Sequence, residues 1–168
     1  MFAYKIVMLG DFGVGKTSLV RRFVDNSFSE EYLSTIGVAI SKKLLKTEDD
    51  IQATMMIWDI EGKAEYKPIF KQYLMGAKAF IIVTDLTRQK TENSIDDYLK
   101  LCQEIVKDAP VCIALNKSDL ESQTLKSLQE IKELSENIIT VHKTSAKDNY
   151  EVSEIFSIIN KTVISKMQ

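Results

Sequence analysis

The chain has almost no histidine or cysteine: His142 stands alone, and Cys102 and Cys112 are the only thiols. No Ser-His-Asp or Cys-His arrangement is suggested by so small a set. His142 has no cysteines or carboxylates around it at metal-ligand spacing, so it reads as a strand-end structural residue. Both cysteines sit in apolar patterns and read as buried thiols of a reducing compartment, not as a bridge. No apolar stretch is long enough to span a bilayer, and residues 1–10 lack the charged-then-apolar layout of a signal peptide. The expectation is a cytoplasmic protein. An excess of positive charge is also missing: the net charge is −2, which predicts no electrostatic affinity for nucleic acid or acidic membranes. Repeats and low-complexity segments are absent. What remains is an ordinary soluble composition, 45% hydrophobic and 27% charged over 168 residues. That length suits one compact domain over 1–168, burying roughly 70% of its unfolded surface without staples.

The most informative segment is Gly10-Asp11-Phe12-Gly13-Val14-Gly15-Lys16-Thr17, placed between the apolar run Tyr4 to Leu9 and a helical pattern. A G-x-x-x-x-G-K-[ST] loop in strand-loop-helix context cradles phosphates. Gly13 and Gly15 let the main chain bend around an anion where a Cβ would intrude. A helix beginning at Lys16 points its unpaired N–H groups at that anion. Lys16 adds an ammonium for the β and γ phosphates, and the Thr17 hydroxyl suits Mg2+. Nucleotide binding by residues 11–18, including Ser18, is the expectation.

Apolar runs too continuous for one-sided strands recur at Ile6 to Leu9, Phe80 to Val83, Val111 to Leu115 and Ile138 to Val141. They belong in a sheet covered on both faces. Between them lie helical periodicities: Leu19, Val20 and Phe23; Ile95, Leu99, Cys102 and Val106; Leu125, Leu128, Ile131 and Leu134; Val152, Ile155, Phe156, Ile159 and Val163. Val38 to Leu45 and Ile51 to Trp58 alternate about the turn Thr47-Glu48-Asp49-Asp50 and read as an antiparallel hairpin. The fold class expected is α/β, doubly wound: a mainly parallel six-stranded sheet with one antiparallel edge strand and helices on both faces. Ligands of such sheets sit at the carboxyl ends of the strands.

Three strand-end loops carry chemistry. In Trp58-Asp59-Ile60-Glu61-Gly62, Asp59 is placed to hold a Mg2+-bound water and the Gly62 N–H to approach a γ-phosphate. In Asn116-Lys117-Ser118-Asp119, the carboxylate of Asp119 can accept from N1–H and the 2-amino group of guanine, a donor pair adenine lacks. The Lys117 stem can lie on the purine and Asn116 can brace loops, while the plain alternative is that Ser118 and Asp119 cap a helix. In Thr144-Ser145-Ala146-Lys147, the Ala146 N–H can meet the guanine O6.

In this order and spacing these elements resemble the G domain of the Ras-superfamily small GTPases. Thr35-Ile36-Gly37-Val38, Ile57-Trp58-Asp59 and Tyr73-Leu74-Met75-Gly76-Ala77 are similar to Rab segments. The resemblance implies a switch that binds GTP or GDP with Mg2+ and takes part in signal transduction and vesicle traffic. It implies Thr35 beside Mg2+ and the γ-phosphate, Phe28 packed on the nucleotide, and base contacts from Asn116, Lys117, Asp119, Ser145, Ala146 and Lys147. Metal ligation falls to Thr17, Thr35 and, through water, Asp59. Exchange factor, activator and effector proteins would read residues 28–40 and 60–75 of a monomer. The resemblance also leads one to look for a cysteine-bearing lipidated tail. This sequence ends at Met167-Gln168, so membrane association is expected only through partners or through such a tail outside it.

Departures from that family bear on catalysis. Thr-Ala-Gly-Gln-Glu is replaced by Ile60-Glu61-Gly62-Lys63-Ala64, so Lys63 stands where a glutamine orients the attacking water. A charged lysine has no acceptor, and slow hydrolysis follows. Phe12 replaces a small residue and should crowd an activator's arginine finger. Glu61 sets a carboxylate near the phosphates, where it could repel GTP, pair with Lys63 or Lys16, or orient water. The catalytic group is thus Lys16, Gly62, Glu61 and Lys63. A hydrolysis-deficient GTP-binding scaffold is the alternative function, and a P-loop kinase is set aside because residues 116–119 fit guanine. Met55 and Met56 read as core filler, Lys42 and Lys43 as solvated hairpin surface, and Asp96 and Asp97 as an exposed helix face.

Overall fold

The computed structural model describes residues 2–31, 35, 37–62 and 68–168. Ile36, Lys63 and Ala64, named above, lie outside the described residues. Six strands appear: β1 (Phe2–Leu9), β2 (Val38–Lys46), β3 (Gln52–Ile60), β4 (Ala77–Asp85), β5 (Val111–Asn116) and β6 (Ile138–Lys143). The helices are α1 (Lys16–Asp25), α2 (Pro68–Leu74), α3 (Gln89–Asn93), α4 (Ile95–Ile105), α5 (Leu128–Lys132) and α6 (Val152–Met167).

The strand order is β2-β3-β1-β4-β5-β6, with β2 antiparallel to β3 and every other pair parallel. The expected doubly wound sheet with one antiparallel edge strand is therefore present. Asp50, at φ 62°, closes the hairpin with its N–H on the Thr47 carbonyl at 3.0 Å. Successive side chains of a strand leave on opposite faces. Ile6 and Met8 accordingly join Leu19, Val20, Ile155, Phe156 and Ile159 under α1 and α6, while Val7 and Leu9 join Leu74, Leu99, Cys102 and Ile131 on the other face. Across the first layer, Phe23 and Phe156 stack with ring centroids 4.0 Å apart.

Three expectations need correction. Leu125 and Leu128 are exposed, because α5 is only five residues long and buries Ile131 alone. Lys43 is not simply solvated: its Nζ donates to the Val24 carbonyl at 3.2 Å. Ser118 and Asp119 do not cap a helix, since the next one starts at Leu128 behind a capping box formed by Ser127 and Glu130.

The chain leaves β1 for β3 on one side and reaches β4 on the other, so β1 is the point where strand order reverses. Crevices at that point, outside the carboxyl ends of the strands, are where ligands of open α/β sheets bind.

Candidate functional site

A cleft of about 460 Å³ opens at those carboxyl ends, lined by Phe12, Gly13, Gly15, Lys16, Thr17, Ser18, Phe28, Gly62, Asn116, Lys117, Asp119, Ala146 and Lys147. Gly15 adopts φ 100°, and a Cβ there would lie 2.3 Å from Asn116 Nδ2. Only glycine meets both demands. Directly after it α1 begins with no side-chain cap, leaving its first N–H groups free for an anion.

Lys16 is 6% exposed and its Nζ donates to the carbonyls of Gly10 at 2.8 Å and Asp11 at 3.2 Å. Burial pulls its pKa down to about 8, against the opposing pull of Asp59 and Asp11. A buried ammonium on two neutral carbonyls gains from a phosphate, which restores its lost charge compensation. Asp11 turns its carboxylate the other way, accepting from Ser94 Oγ at 2.7 Å and Tyr98 Oη at 3.0 Å. Its main chain forms the loop while its side chain ties that loop to α4. Val14 is fully buried, and its carbonyl accepts from Asn116 Nδ2 at 3.0 Å.

Thr17, Thr35 and Asp59 converge. Thr17 Oγ1 donates to Asp59 Oδ2 at 2.5 Å, and Thr35 Oγ1 lies 2.8 Å from Thr17 Oγ1 and 3.4 Å from Asp59 Oδ2. Asp59 is 2% exposed, and among the described residues its Oδ1 has no hydrogen-bond partner. Burial raises its pKa, with the Thr17 hydrogen bond and the Lys16 charge acting against that rise. An orphaned buried carboxylate oxygen beside two hydroxyls is a hard, all-oxygen donor set, which suits Mg2+. No group of three or more His, Cys, Asp or Glu at metal spacing exists among the described residues.

The end of the cleft lined by Asn116, Asp119 and Ala146 is braced from several strands. Thr144 Oγ1 donates to Asn116 Oδ1 at 3.1 Å, joining the loops after β5 and β6. Asp119 accepts from Ser145 Oγ at 2.8 Å, which orients its carboxylate, and the Asp148 N–H donates to that same Ser145 oxygen at 3.0 Å. Lys147 pairs with Glu30 at 3.1 Å across the cleft mouth, close to Phe28, which packs against the α1/α6 core layer. Phe12 is 54% exposed at the phosphate end. The Glu61 carboxylate accepts from the Gly37 N–H at 3.1 Å, while Lys16 is held by the carbonyls of Gly10 and Asp11.

Several residues escaped the sequence reading. Asp85, 1% exposed, pairs with Lys117 at 2.7 Å and Arg88 at 3.0 Å. Arg88 in turn donates to the Phe12 carbonyl at 2.7 Å. Asp85 closes the run Phe80–Thr84, so inspecting every strand end would have found it. Arg22 donates from Nε to the Ala146 carbonyl at 2.8 Å and from Nη2 to the Lys147 carbonyl at 3.0 Å. No pattern near Arg22 points to partners that distant in sequence.

A glycine-bearing loop between β1 and α1 at the reversal point of a doubly wound sheet defines the class of phosphate-loop α/β proteins. Within that class, the chain belongs to the Ras family, whose family model matches residues 5–165. It is 30% identical over 171 residues to "Ras-related protein Rab-3" of Caenorhabditis elegans, covering 99% of this chain and 76% of that protein. It is 37% identical over 161 residues to "Ras-related protein Rab-11A" of Dictyostelium discoideum, covering 94% and 74%. Against "Ras-related protein Rab-13" of Canis lupus familiaris it is 33% identical over 165 residues, covering 97% and 81%. It is a Rab-like small GTPase, which implies a nucleotide-binding switch. No helix among the described residues is long and apolar enough to cross a membrane.

Proposed function

We propose that residues 1–168 form one G domain that binds GTP or GDP with Mg2+, hydrolyses GTP slowly, and presents residues 28–40 and 60–75 to partner proteins as a monomer. The observation that carries this reading is the meeting of four strand-end loops in one cleft. Lys16 and the start of α1 lie at one end and the Ser145-oriented carboxylate of Asp119 at the other. Lys16 would bind the β and γ phosphates, residues 13–18 would give them N–H donors, and Phe28 and the Lys117 stem would flank the purine. Asp119 would select guanine through its paired N–H donors. Thr17, Thr35 and, through water, Asp59, whose Oδ1 has no hydrogen-bond partner among the described residues, would hold Mg2+, which when bound neutralises charge on the phosphate oxygens.

Calorimetry with Mg2+ tests this: GDP and GTP should bind at least 100-fold more tightly than ADP and ATP. Two charge-assisted hydrogen bonds at about 1.5 kcal/mol each supply that ratio. Equal affinities would sink the assignment of Asp119.

A second reading, the GTP-binding scaffold with negligible turnover, is favoured by Phe12 at the phosphate end and by Glu61, whose carboxylate accepts from the Gly37 amide. Single-turnover hydrolysis separates the two readings. A measurable GDP product over hours supports the slow switch, and none supports the scaffold.

A further inference from the structure

Glu61 sits one step beyond the end of the β2/β3 ladder, whose last pair is Val38 with Ile60. The ladder continues there: the Glu61 N–H donates to the Gly37 carbonyl at 2.8 Å. In an antiparallel hydrogen-bonded pair the two residues exchange N–H groups for main-chain carbonyls. At this step the returning bond is made by a side chain, because the Gly37 N–H donates to Glu61 Oε2 at 3.1 Å. Gly37, at φ 71°, has turned out of the extended strand conformation, and a carboxylate on a flexible stem reaches the amide.

Both ends of this closure lead into the cleft. Two residues before Gly37, Thr35 Oγ1 lies 2.8 Å from Thr17 Oγ1 and within 3.4 Å of Asp59 Oδ2. One residue after Glu61, Gly62 is seated against the phosphate loop so closely that a Cβ would lie 2.6 Å from the Phe12 nitrogen. The chain's own carboxylate thus fastens the segment carrying Thr35 to the segment touching the phosphate loop. Alanine, which the Rab-like pattern places at this position, has no acceptor to do so.

We propose that Glu61 is a positioning residue rather than a water-orienting or phosphate-repelling one. Its carboxylate holds Gly37 so that the Thr35 hydroxyl stays beside Thr17 and Asp59 whether or not a γ-phosphate is present. This rests on the nucleotide-switch reading for its consequence: the contrast between GDP and GTP forms at residues 35–38 is small in this protein. A charge-assisted hydrogen bond to a main-chain amide biases the segment's open–closed equilibrium by on the order of tenfold or more.

The test is amide hydrogen exchange at Gly37 in the full chain loaded with GDP or with GTPγS and Mg2+. Wild-type protein, Glu61→Ala and Glu61→Gln are compared, with 31P NMR of the bound nucleotides alongside. In the wild type the Gly37 amide should be protected in both forms. Glu61→Ala should raise its exchange in the GDP form roughly tenfold and widen the GDP–GTPγS difference in 31P shifts. Glu61→Gln should keep most of the protection, since its amide oxygen still accepts. Fast exchange of Gly37 in wild-type GDP protein, or Glu61→Gln behaving as Glu61→Ala, overturns the proposal, even should the alanine variant fail to fold. If no guanosine phosphate binds, the switch reading falls. Gly37 protection in the nucleotide-free protein then still decides whether the carboxylate bond exists.

Discussion

The Lys117 ammonium lies 2.7 Å from Oδ2 of Asp85, a carboxylate 1% exposed that also receives Arg88 and two hydrogen bonds from Thr87. Asp85 ends β4 and Lys117 follows β5, so this pair couples two adjacent strand ends. Through Arg88 and the Phe12 carbonyl it reaches the phosphate loop after β1. One buried carboxylate therefore holds parts of both the base end and the phosphate end of the cleft.

Replacing it should weaken both. Asp85→Asn leaves two cations without their counter-charge. Their own exposures of 34% and 44% let water take over part of that role, so the loss at pH 7 should be about 1–3 kcal/mol, not the full cost of an orphaned buried charge. Burial pushes the Asp85 pKa up, yet the hydrogen bonds from Lys117, Thr87 and Arg88 outweigh it and hold the group below its ordinary value. A carboxyl lowered in the folded state stabilises the protein above its unfolded pKa, about 3.9, and that contribution disappears as pH falls through the folded value. Urea midpoints for wild type and Asp85→Asn should therefore differ at pH 7 and draw together as pH falls below about 4. An undiminished gap in acid would mean that the carboxylate's charge is not what stabilises.

Arg22 supports the loop after β6 from behind. Its bonds to the Ala146 and Lys147 carbonyls fix the backbone that would meet the base. Arg22→Ala should speed release of a fluorescent GDP analogue by on the order of tenfold, equivalent to about 1.4 kcal/mol. Arg22→Lys should recover only part of this, because a lysine cannot span two carbonyls with a planar fork. Stopped-flow dissociation measures both, and an unchanged rate in the alanine variant would show the loop to be held by other contacts.

Glu92 should be a stability defect in waiting for correction. It is 2% exposed, its Oε2 has no hydrogen-bond partner among the described residues, and Lys126 Nζ approaches Oε1 only to 3.8 Å. Among the described residues, its Oε1 accepts from the Lys126 main-chain N–H at 3.3 Å. Exchanging an under-compensated buried carboxylate for an apolar side chain of similar volume is commonly stabilising by about 1–2 kcal/mol. Glu92→Leu should then raise Tm by about 2–6 °C in scanning calorimetry. A fall in Tm would mean the Lys126 contacts outweigh the burial cost.

Much of this arrangement was legible in the residues, and what was missed has a common cause. The hairpin alternation at 38–45 and 51–58 and the spacing of residues 10–17 are local signals, so the antiparallel edge strand and the phosphate loop could be read directly. Helices α2 and α3, of seven and five residues, are too short to establish a 3.6-residue period. Asp85 and Arg22 matter only because β4 lies between β1 and β5, and because α1 runs beside the loop after β6. Such adjacencies follow from strand order, which sequence patterns do not specify. Leu125 and Leu128 show the converse error: the apolar spacing starts before α5 does, and Leu128, its first residue, remains exposed.

The departures at Lys63 and Phe12 should separate kinetically. By the family resemblance Lys63 stands in sequence where a glutamine, acceptor and donor together, would orient water, and a charged ammonium supplies donors alone. Lys63→Gln restores both, so single-turnover GTP hydrolysis should rise by on the order of tenfold to a hundredfold, the worth of one well-placed charge-assisted hydrogen bond. Phe12 differs in kind. Its carbonyl accepts from Arg88 and the residue is 54% exposed at the cleft, where its ring would meet an incoming arginine and leave the intrinsic water position alone. Phe12→Gly should leave the intrinsic rate within about twofold of wild type, and should act only when an activator supplies its finger, a contribution of roughly 10³ to 10⁵. If Phe12→Gly alone accelerates intrinsic hydrolysis as much as Lys63→Gln does, the benzyl ring obstructs the water itself and the division of roles between these residues is wrong.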